Sequence, residues 1–130
     1  MQDRPTSLEL LRAVREALER EVAPGLADAR LRYRALIAAN VLRILERELP
    51  GEDRRLTAEL TALDALLDRE RGRAPGTLEA LRQAVLDANR ALCERIRRGD
   101  ADAGPWRERV LACLREAVAA ALAVNNPSAL

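Results

Sequence analysis

DARLRYRALIAANVLRILERELPG, residues 28–51, is the stretch that decides the fold class. At 100° per residue, Tyr33, Ile37, Val41, Ile44 and Leu45 fall on one face of a helix, and Leu31, Ala38, Leu42 and Leu49 widen that face sideways. Nothing in it alternates with the period of a strand. The run starts at about Asp28, and Pro50-Gly51 closes it. The apolar arc exceeds half the circumference. The reading therefore places this helix, over 28–49, at the centre of the fold, touched by several neighbours.

The same period runs outward in both directions. Thr6 and Glu9 have the spacing of a capping box, and Leu8, Leu11, Val14, Leu18 and Val22 continue a stripe to Pro24-Gly25. Leu56, Leu60, Leu63, Leu66 and Leu67 make a narrow stripe suited to a peripheral helix. Leu78, Leu81, Val85, Leu92 and Ile96 make another. Pro105 sits at a first helical position, ahead of Trp106, Val110, Leu114, Ala117, Ala121 and Val124. These patterns predict helices over 7–23, 28–49, 53–71, 77–98 and 105–124. The expected architecture is all-α: one domain over 1–130, a bundle of about five antiparallel helices with short Pro/Gly-containing links.

Composition narrows function more than any motif. The 130-residue chain has no histidine and no lysine; its 22 basic residues are all arginine, set against 21 acids for a net charge of +1. Without histidine there is no imidazole base and no histidine metal ligand. Without lysine there is no Schiff base and no P-loop lysine. Arginine and glutamate interleave, as solvated helix faces do, so nucleic acid is not an expected partner. The longest apolar run, AVAAALAV at 117–124, is less than half a membrane span. The opening MQDRPTSLELLR is polar and helix-like rather than a signal peptide, so a cytoplasmic protein is expected. Cys93 and Cys113 are then reduced, half-buried small hydrophobes. No cofactor or metal is expected.

Five residues are candidates for a pocket or interface: Asn40, Asn89, Arg95, Arg98 and Trp106. Asn40 lies at the edge of the second helix's stripe, and Asn89 falls inside the fourth's. Each could wall a pocket between helices two and four; the simpler reading is an amide that fixes register. Arg95, Arg97 and Arg98 gather at the end of helix four, where cations also suit the helix dipole. Arg69, Arg71 and Arg73 alternate and so make no single patch. Trp106 reads as a plug closing the bundle end beside Tyr33. Asp64 with Asp68, and Glu16 with Glu19, read as solvated pairs. Cys93 lacks a histidine to activate it, and Arg98-Gly99-Asp100 is a chance tripeptide.

Taken together, DRPTSLELLRAVREALEREVAP, AANVLRILEREL, NRALCERIRRGD and AVNNPSAL resemble a small bacterial family of unknown function. Its members occur beside, or fused behind, kinase-like proteins of the aminoglycoside-phosphotransferase type, and near acyl-CoA dehydrogenases. The resemblance carries no catalytic residues. It implies a non-catalytic accessory or regulatory protein with a kinase-like or acyl-CoA dehydrogenase partner. A bundle binding acyl-CoA or a phosphorylated ligand is the alternative, with Arg95 or Arg98 meeting phosphates. A homo-oligomer is compatible with either.

Overall fold

A computed structural model describes residues 4–70, 72 and 74–129. They are all-α, with five helices and no strand among the described residues. The helices gather into two compact units, divided between Pro50 and Gly51.

The first unit is a helical hairpin. Helix α1 begins at Ser7–Ala17, runs through a π turn at Leu18–Val22 and ends in a turn at Ala23–Gly25. The capping box is formed: the Glu9 amide donates to Thr6 Oγ1 at 3.2 Å and the Thr6 amide to Glu9 Oε2 at 2.7 Å. The π turn lets the Ala23 amide reach back to the Leu18 carbonyl. This widened turn immediately precedes Pro24, which has no amide hydrogen to give. Helix α2 spans Ala29–Glu48, and Asp28 Oδ1 accepts from the amides of Arg30 and Leu31 at 2.7 and 3.2 Å. An ion ladder ties the hairpin. Arg15 Nε donates to Glu46 Oε1 at 2.6 Å and its Nη1 to Glu19 Oε2 at 2.8 Å, while Arg43 pairs with Glu19. The ladder pairs earlier residues of α1 with later residues of α2, so the two run antiparallel.

The expectation that the 28–49 helix is the centre of the fold is corrected here. Only Ala39 of α2 is buried, at 1% exposure, whereas Tyr33 is 65% exposed and Val41 50%. The helix meets α1 through Ala39, Arg43 and Glu46, and those positions lie opposite its apolar arc. Periodicity located the arc correctly and said nothing of what covers it.

The second unit holds α3 (Glu52–Leu66), α4 (Leu78–Arg97) and α5 (Pro105–Asn125). Leu63 and Leu66 of α3, Val85, Ala88 and Leu92 of α4 and Val110 of α5 form its core, with Trp106 and Cys113 packed against them. Helix α3 is therefore central to its unit, not peripheral. It also ends five residues before the expected Arg71, which itself lies outside the described residues, as does Arg73. Two features stop it. Asp68 adopts φ 54°, and the Arg69 amide closes back on the Asp64 carbonyl at 2.9 Å, the 6→1 bond of a Schellman turn. The carbonyls so released are taken by α5: Trp106 Nε1 donates to Leu66 O at 3.0 Å and Arg109 Nη2 to Ala65 O at 2.7 Å.

That early stop changes the topology. An eleven-residue link, 67–77, follows α3, and an extended link of that length reaches about 36 Å. Helix α3 itself is only about 22 Å long. The chain thus returns to the start of α3 before α4 begins at the Thr77 cap, whose Oγ1 accepts from the Ala80 amide at 3.1 Å. Arg82 Nε donates to Glu52 Oε1 at 2.8 Å, and Asn89 Nδ2 to Glu59 Oε1 at 3.0 Å. Both partners advance together, so α3 and α4 run parallel, against the antiparallel expectation for neighbours in sequence. Helix α5 runs antiparallel to α3: Trp106 near its start reaches Leu66 at the end of α3, and Cys113 further on lies near Glu59.

Candidate functional site

The second unit contains a cleft of about 280 Å³ between α3, α4 and the returning link. Leu60, Leu81 and Ala84 supply its apolar floor, and Ala74 and Pro75 of the link close one side. Thr57, Thr61, Asp64, Arg69 and Glu70 supply the polar groups. Much of that polarity is already spent. Thr57 and Thr61 donate their hydroxyls to the carbonyls one turn back, Asp53 O at 2.7 Å and Thr57 O at 2.8 Å. Asp64 is paired with Arg69 at 3.7 Å. The carboxylates once paired by spacing are thus split: Asp64 faces Arg69, and Asp68 faces Arg109 at 3.7 Å. Glu16 and Glu19 are likewise each faced by arginine.

The five candidate residues fall in three places. Asn40 lies on α2 in the first unit and is exposed. Asn89 lies on α4 in the second, half-buried, with its amide committed to Glu59. Arg95, Arg98 and Trp106 do come together. Arg95 Nε donates to Asp100 Oδ2 at 3.1 Å, and Arg98 Nη2 lies 3.7 Å from the same oxygen. The Arg95 guanidinium stacks 4.0 Å over the Trp106 ring. Gly99, at φ 90°, ends α4 by a second 6→1 closure, the Asp100 amide donating to Arg95 O at 3.2 Å. The two arginines are thus occupied in sealing a helix end. Sequence reasoning met Asp100 only in a tripeptide set aside as chance and missed its pairing, although it lies two and five residues from its partners. Glu59 and Arg109, thirty and forty-four residues from theirs, left no local signal.

Of the two thiols, Cys93 is exposed on α4 and Cys113 is half-buried on α5. Burial raises the Cys113 pKa above the ordinary thiol value, and Glu116 and Glu59 add to the shift. That environment holds the neutral thiol and opposes nucleophilic use. No cluster of three metal-ligating side chains is found among the described residues.

Two apolar helix faces are uncovered. On α2, Tyr33, Leu36, Ile37 and Val41 are exposed. On α5, Leu111, Leu114, Val118 and Leu122 form a strip beside the face through which Trp106, Val110 and Cys113 engage the core. Val118 is 57% exposed. No helix among the described residues is long and apolar enough to cross a membrane.

The family described as "Domain of unknown function (DUF6285)" matches residues 24–129, more than half of the chain. The match takes in three of the four stretches that carry the resemblance and leaves most of the opening one outside. No curated protein and no solved structure matches.

Proposed function

The chain belongs to the DUF6285 family, and for this member we propose a non-catalytic accessory role: a helical module that docks on a larger enzyme. The observation that carries the reading is the end of α5. Residues 117–124 are apolar around the whole circumference, with no charged group after Glu116, and most of them are exposed. A helix apolar on every side is normally buried, and an exposed apolar surface of this kind marks an interaction site. The family resemblance supplies the expected partner, a kinase-like phosphotransferase or an acyl-CoA dehydrogenase. The test is a native pull-down with the tagged chain and with Val118→Arg, each checked for helicity by circular dichroism. Stoichiometric recovery of such an enzyme by the parent chain, and its loss with the variant, supports the role. A variant that recovers as much partner as the parent removes α5 from it.

The α3–α4 cleft favours a second reading, the binding of a small ligand. Its volume lies near the lower limit of ligand sites, about 300 Å³, which suits a short acyl chain. Arg69 of the cleft, rather than Arg95 or Arg98, would meet an acidic group. A ligand present at 100 times its Kd adds about 2.7 kcal/mol to stability. An unchanged melting temperature in millimolar short-chain acyl-CoA overturns this reading.

A further inference from the structure

We infer that the outer face of α2 is a homodimer interface, in which two copies of the chain pair antiparallel about a two-fold axis near Asn40. Three observations lead there, and none depends on the docking role of α5.

The first is where the face points. On a wheel centred on Tyr33, the exposed residues Leu36, Ile37 and Val41 span an arc of about 140°. Ala39 and Glu46, on the α1 side, lie across the helix from it, and Arg43 borders it beside Leu36. The hairpin therefore uses one side of α2 and leaves a second apolar side uncovered. Ile44 continues that side by another turn.

The second is its size. Four large side chains, each about half exposed or more, present on the order of 400 Å² of apolar surface. Two copies would then remove about 800 Å² of apolar area. With the polar rim that surrounds such a core, this reaches the lower bound of specific interfaces, about 1,200 Å² in total.

The third is what selects a second copy as the occupant. Asn40, at the edge of the whole apolar arc, falls among its exposed residues, one turn from Leu36, Ile37 and Ile44, and is itself exposed. An amide is both donor and acceptor. In an isologous interface a residue on the axis meets its own counterpart. Two Asn40 side chains facing one another can each donate to the other, so the polar group in the apolar stripe is satisfied by a copy of itself. A single asparagine in an apolar seam is also a known means of fixing register. Charge favours the antiparallel sense. Arg30 and Arg34 make the N-terminal end of the stripe basic, while Arg47 beside Glu48 leaves its C-terminal end balanced. Parallel pairing would set the arginines of the two N-terminal ends against each other. The α5 strip offers no such match: it has no polar group between Glu116 and Asn125.

The test combines mass and position. Sedimentation equilibrium of the full chain from 5 to 500 µM should show a reversible monomer–dimer equilibrium. Ile37→Arg should weaken it at least tenfold with helicity unchanged. In a Cys93→Ser, Cys113→Ser background, Asn40→Cys should form an intermolecular disulfide under mild oxidation, because its two copies meet at the axis. The same substitution at exposed Ala58 of α3 should not. A monomer at 500 µM overturns the inference. So does a dimer that persists in Ile37→Arg and gives no Asn40→Cys cross-link, because it must then use another surface. If Ile37→Arg loses helicity, the Asn40→Cys cross-link decides alone.

Discussion

Replacing Leu92 by alanine should cost the second unit about 3 kcal/mol. Leu92 is 2% exposed and sits among Leu63, Leu66, Val85, Ala88 and Val110. The substitution removes three carbons, worth about 2.4 kcal/mol at 0.8 kcal/mol each, and leaves a cavity that parallel α3 and α4 can close only in part. Measured leucine-to-alanine costs in cores run from about 2 to 5 kcal/mol. A unit of about 80 residues has on the order of 4–12 kcal/mol in total, so the loss is a large share. With a urea slope of about 1.5 kcal/mol/M, the midpoint should fall by about 2 M. The single tryptophan, Trp106, packs against this core and bonds to Leu66 O, so its emission reports the unit directly. Leu86, on the same helix and 45% exposed, is the control. Leu86→Ala should move the midpoint by less than about 0.5 M. Equal shifts for the two, or a Leu92→Ala shift below about 0.5 M, would refute the assignment of the core to this face of α4.

Gly99→Ala should cost about 1–2 kcal/mol in the same urea assay, because φ is 90° and the new Cβ would lie 2.9 Å from Asp102 Oδ2; an unchanged midpoint would show that this cap does not hold α4. Cys113 should react with iodoacetamide more slowly than exposed Cys93 at pH 8, since its pKa is raised; equal rates count against its burial. The sign for stability follows from that shift. The neutral thiol is favoured in the fold, so its contribution is complete below the ordinary thiol pKa and is lost as pH rises through the raised one. Cys113→Ser should flatten the decline in stability above pH 9, and a decline that keeps its slope refutes the linkage. In a background free of the native cysteines, Glu52→Cys with Arg82→Cys should be joined by a short bis-maleimide, whereas Glu52→Cys with Arg97→Cys should not. The reverse pattern would mean that α3 and α4 are antiparallel after all.

Helix starts were written locally and could be read. Thr6 with Glu9, and Pro105, act within four residues of their own position and stand where spacing placed them; Asp28 and Thr77, expected as first helical residues, serve as the caps just before them. The end of α3 could not be read in this way. LLDRERG contains no breaker before Gly72, yet the helix stops at Leu66 because Asp68 takes a left-handed conformation and because Trp106 and Arg109 satisfy its last carbonyls from forty residues away. That one miss lengthened the helix, shortened the link and reversed the inferred direction of α4. Asn89 was recognisable as a polar residue on an apolar face, but its partner Glu59 was not, since nothing in the pattern says which helix lies opposite. The 28–49 stripe shows the same limit: an apolar arc specifies that a face is to be covered, and leaves open by what.

The hairpin makes that limit a question of energy. Its buried residues, among those described, are two alanines, Ala23 and Ala39, and an arginine–glutamate ladder holds its helices together. Ion pairs near the surface contribute little, about 0–1 kcal/mol each, and two buried methyl groups add a small hydrophobic term. A chain segment of about 50 residues with so little interior is marginal by itself. Whatever covers Tyr33, Ile37 and Val41 therefore supplies much of the stability of α2. If a second copy covers them, that stability must depend on concentration. At a monomer concentration 100 times the Kd the gain is about 2.7 kcal/mol, close to 100-fold in the opening equilibrium. Amide hydrogen exchange along α2 should then slow by about that factor between dilute and concentrated samples. The amides of Val85, Ala88 and Leu92 on α4 give the reference for exchange within a core already closed. Exchange along α2 that stays the same over that range would mean that no second copy rests on the stripe.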